Sequence, residues 1–132
     1  MRDEELIEAA KTAAAMAYAP YSKFRVGAVV LAADGSLFTG SNVENAAFPS
    51  TLCAEAVAIG SAVSSGVRKI DVIAVACLDG DQNCFPCGQC RQRMREFGTE
   101  KVIVTDKAGR THRHDLSDLL PHSFGPEDLP SP

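Results

Sequence analysis

The sequence has no tryptophan, few other aromatic residues and no excess of basic residues. Its 132 residues include 13 lysines and arginines against 17 aspartates and glutamates, for a formal net charge of −4. A protein that binds nucleic acid usually presents a basic surface to the phosphate backbone, and this composition does not supply one. We therefore expect no nucleic acid partner, and the charge balance favours a small neutral substrate.

Long apolar runs and targeting signals are also missing. No apolar run reaches the roughly 18 residues expected of a membrane-spanning helix. No basic stretch followed by an apolar stretch and a small-residue cleavage site occurs near the N-terminus, so a secretory leader is not indicated. We expect a cytoplasmic protein with no membrane partner.

The remaining composition is that of an ordinary globular protein. Hydrophobic residues make up 45% of the chain, which is enough for a core at this length. We predict a single domain over 1–132, with 115–132 as a C-terminal tail that contributes to subunit contacts. The five cysteines are odd in number and lie at ligand spacings. In a chain without a secretory leader they favour metal binding over disulfides.

Hydrophobic periodicity and turn residues predict three helices and five strands. The helices cover 2–17, about 52–65 and 88–97, and the strands cover 26–32, 36–42, 71–77, 101–105 and 110–114. The first helix should bury one apolar stripe, consisting of Leu6, Ala9, Ala10, Ala13 and Met16. Asp34 and Gly35 favour an antiparallel hairpin, and the last strand should lie at an edge. Continuous apolar strands alternating with helices indicate an α/β fold with three α-β-α layers around a central mixed sheet.

Two short cysteine-containing stretches stand out from the rest of the chain. Cys53 is followed at the second position by Glu55, and Cys87 is followed at the third position by Cys90. Residues three apart on a helix point to nearly the same side, so one metal ion could take both sulfurs of the second stretch.

Local signals predict that both stretches lie at helix N-termini. Ser50 and Thr51 are favourable N-cap residues, which would place Cys53 in the first turn of a helix. Pro86 suits the first turn of another helix, with Cys87 and Cys90 in its opening turns. Two helix N-termini would then face one ion, and their dipoles would offset the charge of three thiolates.

Three sulfur ligands on a tetrahedral zinc ion leave one position open. An open position distinguishes a catalytic site that holds a water molecule from a closed structural site. Glu55 would stand beside that water as the base. A closed site would have no use for Glu55.

Other interpretations of these residues remain open at this stage. Cys84 could complete a closed four-cysteine site in a non-catalytic zinc module. Cys77 lies in an apolar strand and is expected to be a buried filler. His112 and His114 could bind metal, although a solvated sheet edge is the simpler reading. Three arginines of the last helix could form a solvated face or help neutralise the thiolates, namely Arg91, Arg93 and Arg95.

The cysteine stretches and three further segments resemble the cytidine deaminase family in its small form with three cysteine ligands. The cysteine segments read Cys-Ala-Glu from residue 53 and Pro-Cys-Gly-Gln-Cys-Arg-Gln from residue 86. The further segments are 21–28, 42–46 and 119–124. A lone Cys-x-x-Cys would be weak evidence, whereas matching segments in the right order are specific.

The resemblance implies a zinc-dependent enzyme that converts cytidine and deoxycytidine to uridine and deoxyuridine with release of ammonia, in pyrimidine salvage. Zinc would be held by Cys53, Cys87 and Cys90 and would lower the pKa of a water molecule. Glu55 would carry that water's proton to ring N3 and later protonate the departing amine. A related alternative is a deaminase of the same fold that acts on another cytosine nucleoside, such as blasticidin S.

Further roles follow only from the resemblance. Phe24 would pack beside the nucleoside, and Asn42 and Glu44 would hydrogen-bond the ribose 3′-hydroxyl. Backbone groups near Ala54 would meet the pyrimidine edge. Phe124 would reach the pocket of a neighbouring subunit in a homotetramer.

Three positions depart from the family pattern. Many relatives have arginine directly after the catalytic glutamate, where it neutralises the thiolates, whereas this chain has Ala56. Compensation must therefore come from elsewhere in the chain. Phe85 replaces a common serine or threonine whose backbone carbonyl is the functional group, and Phe48 replaces a usual tyrosine.

Overall fold

A computed structural model describes residues 1–130, in which a five-stranded sheet lies between helices. The helices are α1 (Asp3–Ala14), α2 (Ala54–Ser64), α3 (Gly88–Glu96) and α4 (Leu116–Leu119). The strands are β1 (Val26–Ala32), β2 (Leu37–Ser41), β3 (Ile70–Cys77), β4 (Lys101–Thr105) and β5 (Thr111–Asp115). Two 3₁₀ turns cover Phe48–Ser50 and Pro126–Asp128. The last two residues of the predicted tail lie outside the described range.

The sheet is mixed, with strand order β2-β1-β3-β4-β5. β1 pairs antiparallel with β2, which confirms the predicted hairpin. Its turn uses Gly35 at φ 89°, a backbone conformation that glycine adopts without strain. β3 and β4 run parallel, and helix α3 forms the crossover between them. β5 pairs antiparallel with β4 at the edge, as predicted.

Each face of the sheet carries its own apolar core, which confirms the three-layer α/β fold. Helix α1 packs on one face, where Leu6 and Ala10 meet Val29 and Ile103. On the other face, α2 and α3 enclose a larger cluster that includes Ile73. Strands β3 and β4 are buried from both sides, so their sequences are continuously apolar rather than alternating.

The predicted stripe of the first helix is partly wrong. Leu6 and Ala10 are buried as expected, but Ile7 and Ala14 complete the buried face. Met16 is 80% exposed. The helix ends at Ala14, two residues before Met16, so the helical period no longer determines where the Met16 side chain lies.

None of the helices in residues 1–130 combines the length and the apolar character needed to cross a bilayer.

Gly40 sets how closely helix α2 approaches the sheet. A Cβ atom at this strand position would lie 2.5 Å from the backbone nitrogen of Ala58 and 2.6 Å from the carbonyl oxygen of Ala54. Both atoms belong to the helix backbone, which cannot rotate away as a side chain can. Any larger residue at position 40 therefore has to push α2 outward, together with Glu55 at its start.

We expect Gly40→Ala to lower the midpoint of thermal unfolding, because overpacking against a fixed backbone costs about 1–3 kcal/mol. Circular dichroism at matched protein concentration measures this midpoint. Gly60→Ala is the matched control, because Gly60 lies within α2 and a Cβ there meets no atom within 4 Å. That control should leave the midpoint unchanged or raise it, since alanine is the better helix former. Equal midpoints for Gly40→Ala and the unmodified protein would contradict the packing argument.

Candidate active site

The first cysteine of the site is the N-cap of helix α2. Cys53 has an extended backbone, with φ −70° and ψ 152°, and Ala54 is the first helical residue. The prediction that Cys53 lies in the first turn, behind a Ser50 or Thr51 cap, is wrong. Ser50 belongs to the 3₁₀ turn, and Leu52 exchanges two backbone hydrogen bonds with Val43. The chain is therefore held extended up to Cys53.

The second cysteine occupies the same position at the start of helix α3. Cys87 is the N-cap, with φ −67° and ψ 165°, and Cys90 is the third helical residue. Pro86 precedes the cap instead of lying in the first turn, which corrects the predicted boundary. The two helices therefore begin in the same way, each with a cysteine at the N-cap. Neither cysteine side chain accepts a capping hydrogen bond from the backbone of its helix.

Three sulfur atoms meet between these helix N-termini. The Sγ atoms of Cys53, Cys87 and Cys90 all lie within 4.8 Å of one another. On a tetrahedral zinc ion with Zn–S bonds of about 2.3 Å, two sulfurs are separated by about 3.8 Å. The donor set and its spacing therefore fit a zinc ion after a small closure. Cys90 is buried, Cys53 is half-buried and Cys87 is exposed, so one side of the group is open to solvent.

Cys84 does not join the three-sulfur group of residues 1–130. Its side chain is buried and lies with Cys77 in the apolar core cluster. Cys77 is itself 2% exposed, which confirms it as a core residue. This arrangement gives no support to a closed four-cysteine site.

The protein makes two of these three thiols harder to ionise. Burial, followed by the nearby Cys87 and Glu55, raises the pKa of the Cys53 thiol. Burial and then the charges of Glu55, Cys53 and Cys87 raise the pKa of Cys90. Burial also disfavours the Cys87 thiolate, but the amides of Cys90 and Gln89 and the neighbouring thiols outweigh it and lower the pKa of Cys87. Anionic sulfurs at this point require a cation, and a divalent metal ion provides one.

Glu55 lies beside the sulfurs at the second position of α2. It is 4% exposed, an unusual degree of burial for a carboxylate. Burial raises its pKa, and the helix amide, the Cys90 thiol and Arg93 oppose that shift only in part. A buried carboxyl with a raised pKa exchanges a proton more readily near neutral pH than an exposed one.

One arginine of helix α3 supplies positive charge to the group. Nη1 of Arg93 lies 3.4 Å from Sγ of Cys90. Of the two interpretations given for the arginines, this contact favours charge neutralisation over a solvated face for Arg93. The other two arginines serve elsewhere, since Arg91 donates to the carbonyls of Pro86 and Leu119. Arg95 pairs with Glu127 and donates to Ser123.

A cleft of about 310 Å³ opens in front of the sulfurs. This volume lies at the lower end of the range for small-molecule sites. Its walls are mostly apolar, and its polar groups are few. It is lined by Phe24, Val26, Asn42, Thr51, Leu52, Cys53, Ala54, Glu55, Val75, Asn83, Cys84, Phe85 and Cys87.

Asn42 fixes the cleft wall that carries Phe24. Its Oδ1 accepts from the Val26 amide at 2.9 Å, and its Nδ2 donates to the Phe24 carbonyl at 2.8 Å. Lys23, with φ 61°, turns the chain into this segment. The side chain predicted to bind ribose thus lines the cleft and also holds the backbone on both sides of Val26.

Two predicted substrate contacts lie outside the cleft lining. Oε1 of Glu44 accepts from the amides of Tyr21 and Ser22 at 2.9 and 3.1 Å, so this carboxylate holds the loop that leads to Phe24. Phe124 lies in the tail and is 58% exposed. Both roles stay predictions.

The two histidines of β5 belong to the sheet edge. His112 Nε2 lies 2.8 Å from Oδ2 of Asp106, a carboxylate that Arg110 also contacts. The His114 ring packs against Phe85, with ring centroids 5.2 Å apart. Among residues 1–130 neither histidine joins a three-ligand metal group.

Some cleft residues carry no signal in the sequence. Asn83 approaches through the loop after β3, and Val75 approaches from the strand itself. No local pattern marks them, because their position depends on how that loop folds back over the sheet. The spacing of Arg93, one helical turn after Cys90, is the signal that singles it out from its neighbours.

The sequence and structure are similar to characterised groups of proteins. A family model described as "Cytidine and deoxycytidylate deaminase zinc-binding region" matches residues 1–106. A cytidine deaminase of Sporosarcina psychrophila is 44% identical over 96% of this chain and 93% of that protein. One of Mycobacterium tuberculosis is 45% identical over 92% of this chain and 88% of that protein. The crystal structure of a cytidine deaminase from Burkholderia pseudomallei superposes with a TM-score of 0.86 at 43% identity, covering 94% of this chain and all of that chain.

We expect the purified protein to contain one zinc ion per chain, held by the three grouped sulfurs. Cys53→Ala, Cys87→Ala and Cys90→Ala should each abolish zinc binding or nearly so, because each removes one of three protein ligands. Elemental analysis after desalting measures the metal content. Cys84→Ser is the matched control and should retain zinc. Loss of zinc from the control as severe as from the other three would favour the four-cysteine alternative.

Proposed function

The chain belongs to the family of cytidine and deoxycytidylate deaminases with a zinc-binding region, and from that membership we propose which residues carry out its reaction. The protein is a zinc-dependent cytidine deaminase. It hydrolyses cytidine or deoxycytidine at C4, replacing the amino group with the oxygen of water and releasing ammonia. The products are uridine or deoxyuridine, as in pyrimidine salvage.

The observation that carries this proposal is the buried carboxylate beside three sulfurs at the inner end of an open cleft. A structural zinc site needs four ligands and no base, whereas this group offers three sulfurs and Glu55. The exposed side of Cys87 leaves room for water and substrate to approach. The arrangement therefore suits hydrolysis.

Cys53, Cys87 and Cys90 would hold the zinc ion, which when bound supplies Lewis-acid activation of a water molecule. Glu55 takes a proton from the attacking water and delivers it to ring N3 of the cytosine. The same carboxyl then takes the proton of the new C4 hydroxyl and transfers it to the amino group, so C4=O forms as the C4–N bond breaks and ammonia leaves; the group acts first as base and later as acid. Its burial keeps the carboxyl proton away from bulk solvent.

The cleft selects a flat, neutral heterocycle attached to a sugar. Phe24 and the other apolar walls cover the base, and backbone groups near Ala54 meet its edge. Asn42 and Glu44 bind the ribose 3′-hydroxyl, which cytidine and deoxycytidine share. A carboxylate at the sugar end also repels a phosphate, which favours a nucleoside over a nucleotide.

The tail completes the site of a neighbouring subunit in a homotetramer. Phe124 and Leu129 are 58% and 61% exposed, and Gln92 fixes the tail backbone by donating to the Phe124 carbonyl at 2.8 Å. Large apolar side chains held in place yet exposed are typical of an interface.

The protein is cytoplasmic, because five free thiols require a reducing compartment.

Incubation with cytidine and with deoxycytidine, followed by ultraviolet absorbance, tests the activity. Glu55→Gln keeps the size of the side chain and should keep zinc, but it cannot carry a proton. We expect its turnover to fall by a factor of about 10² to 10⁴, the usual contribution of acid–base catalysis. Glu4→Gln, at an exposed position of α1, is the matched control. Near-normal turnover of Glu55→Gln would remove Glu55 from the mechanism.

Phe124→Ala tests the shared site. Stacking of an aromatic ring on a base contributes about 1–3 kcal/mol, so KM for cytidine should rise about tenfold while zinc content stays the same. Met16→Ala changes an exposed apolar residue outside the tail and serves as control. A protein that is monomeric by light scattering at micromolar concentration, and still deaminates cytidine at the full rate, would refute the tetramer.

A further inference from the structure

Arg93 makes the one contact between an arginine of helix α3 and the sulfur group within residues 1–130. Its Nη1 lies 3.4 Å from Sγ of Cys90, three residues earlier on the same helix face. Arg91 and Arg95 direct their guanidinium groups to backbone carbonyls and to the tail. The contact of Arg93 is therefore specific to its position on the helix.

The net charge of the metal group indicates what the Arg93 contact does. Three thiolates and one zinc ion sum to −1, and an ionised Glu55 brings the total to −2. A guanidinium remains protonated under all ordinary conditions, so Arg93 returns one positive charge to the group. Arg93 also acts on Glu55, since its positive charge lowers the pKa of that carboxyl.

The surroundings of Arg93 strengthen this interaction. Its side chain lies along a groove of about 460 Å³ between α2 and α3, whose walls include Ala56, Ile59 and Phe97. The small side chain of Ala56 leaves space on the α2 side of the groove. Gln92 and Glu96 also line this groove, and the contact between Arg93 and Cys90 is partly buried, so the charge-assisted hydrogen bond to sulfur is partly shielded from water.

We propose that Arg93 is a positioning residue that tunes the metal through Cys90. Its N–H draws electron density from the Cys90 thiolate, so the sulfur donates less to the metal and the metal becomes a stronger Lewis acid. The effect on turnover rests on the proposed function. The effect on the sulfur–metal bond can be measured without any turnover.

Cobalt substitution provides that measurement. Co²⁺ replaces zinc, and its thiolate-to-metal charge-transfer band in the near ultraviolet reports how readily the sulfurs give up an electron. Arg93→Gln should move this band to longer wavelength, because Cys90 loses its cationic donor. Arg93→Lys, which keeps the charge, should lie between the two. Arg68→Gln is the matched control, since Arg68 is exposed and donates only to the carbonyls of Val63 and Val67.

The zinc forms of the same variants give the second readout. Arg93→Gln should lose about 10- to 100-fold in kcat with little change in KM, the usual cost of removing a group that supports a metal ligand. Adding Ala56→Arg to Arg93→Gln returns a guanidinium from the opposite wall of the groove and should restore part of the band position and of kcat.

Identical cobalt spectra for Arg93→Gln and the unmodified protein, at equal metal content and equal far-ultraviolet circular dichroism, would overturn the inference. A kcat loss that Arg93→Lys and Ala56→Arg both fail to relieve would also overturn it, because that pattern indicates a packing role. Absence of deamination by the unmodified zinc protein would refute the proposed function. The cobalt spectra would still decide the role of Arg93.

Discussion

The structure depends on one electrostatic constraint, the concentration of four potentially negative groups at a partly buried point. Burial raises the pKa values of Cys53, Cys90 and Glu55, and for the two thiols the neighbouring negative groups raise the pKa further. Such a cluster is costly unless positive charge is brought to it. The fold brings two helix N-termini and the Arg93 guanidinium, and the donor set leaves the remaining charge to a divalent metal ion.

The backbone determines how closely the starts of α2 and α3 approach each other. Helix α2 can reach the sulfurs only because Gly40 lets it rest directly on the sheet. Helix α3 follows β3 and returns the chain to the parallel strand β4, so its N-terminus lies outside the carboxyl end of β3. That end of an α/β sheet is where ligands usually bind. A cysteine at the cap of each helix, in place of serine or aspartate, turns two helix starts into metal ligands.

Local patterns predicted much of this fold, and tertiary contacts decided the rest. Strands β3 and β4 could be predicted because burial on both faces imposes a continuous apolar sequence. The start of α2 was misplaced because Ser50 and Thr51 satisfy the cap preference, whereas the bridge between Val43 and Leu52 delays the helix. The grouping of the three sulfurs could be predicted from their spacing, but the exclusion of Cys84 depends on its packing with Cys77 in the core. No spacing rule contains that contact.

The proposed tetramer would link the tail to the chemistry. The cleft of residues 1–130 is open on the side of Cys87, and an open site lets bulk water weaken the electrostatic interactions on which catalysis depends. A single chain leaves Phe124 exposed and outside its own cleft, although Gln92 holds the tail in place against α3. In the proposed tetramer the exposed ring of one subunit covers the open side of another. Assembly and exclusion of water then become one event, because the surface that needs covering and the residue that needs burying lie on different copies of the chain.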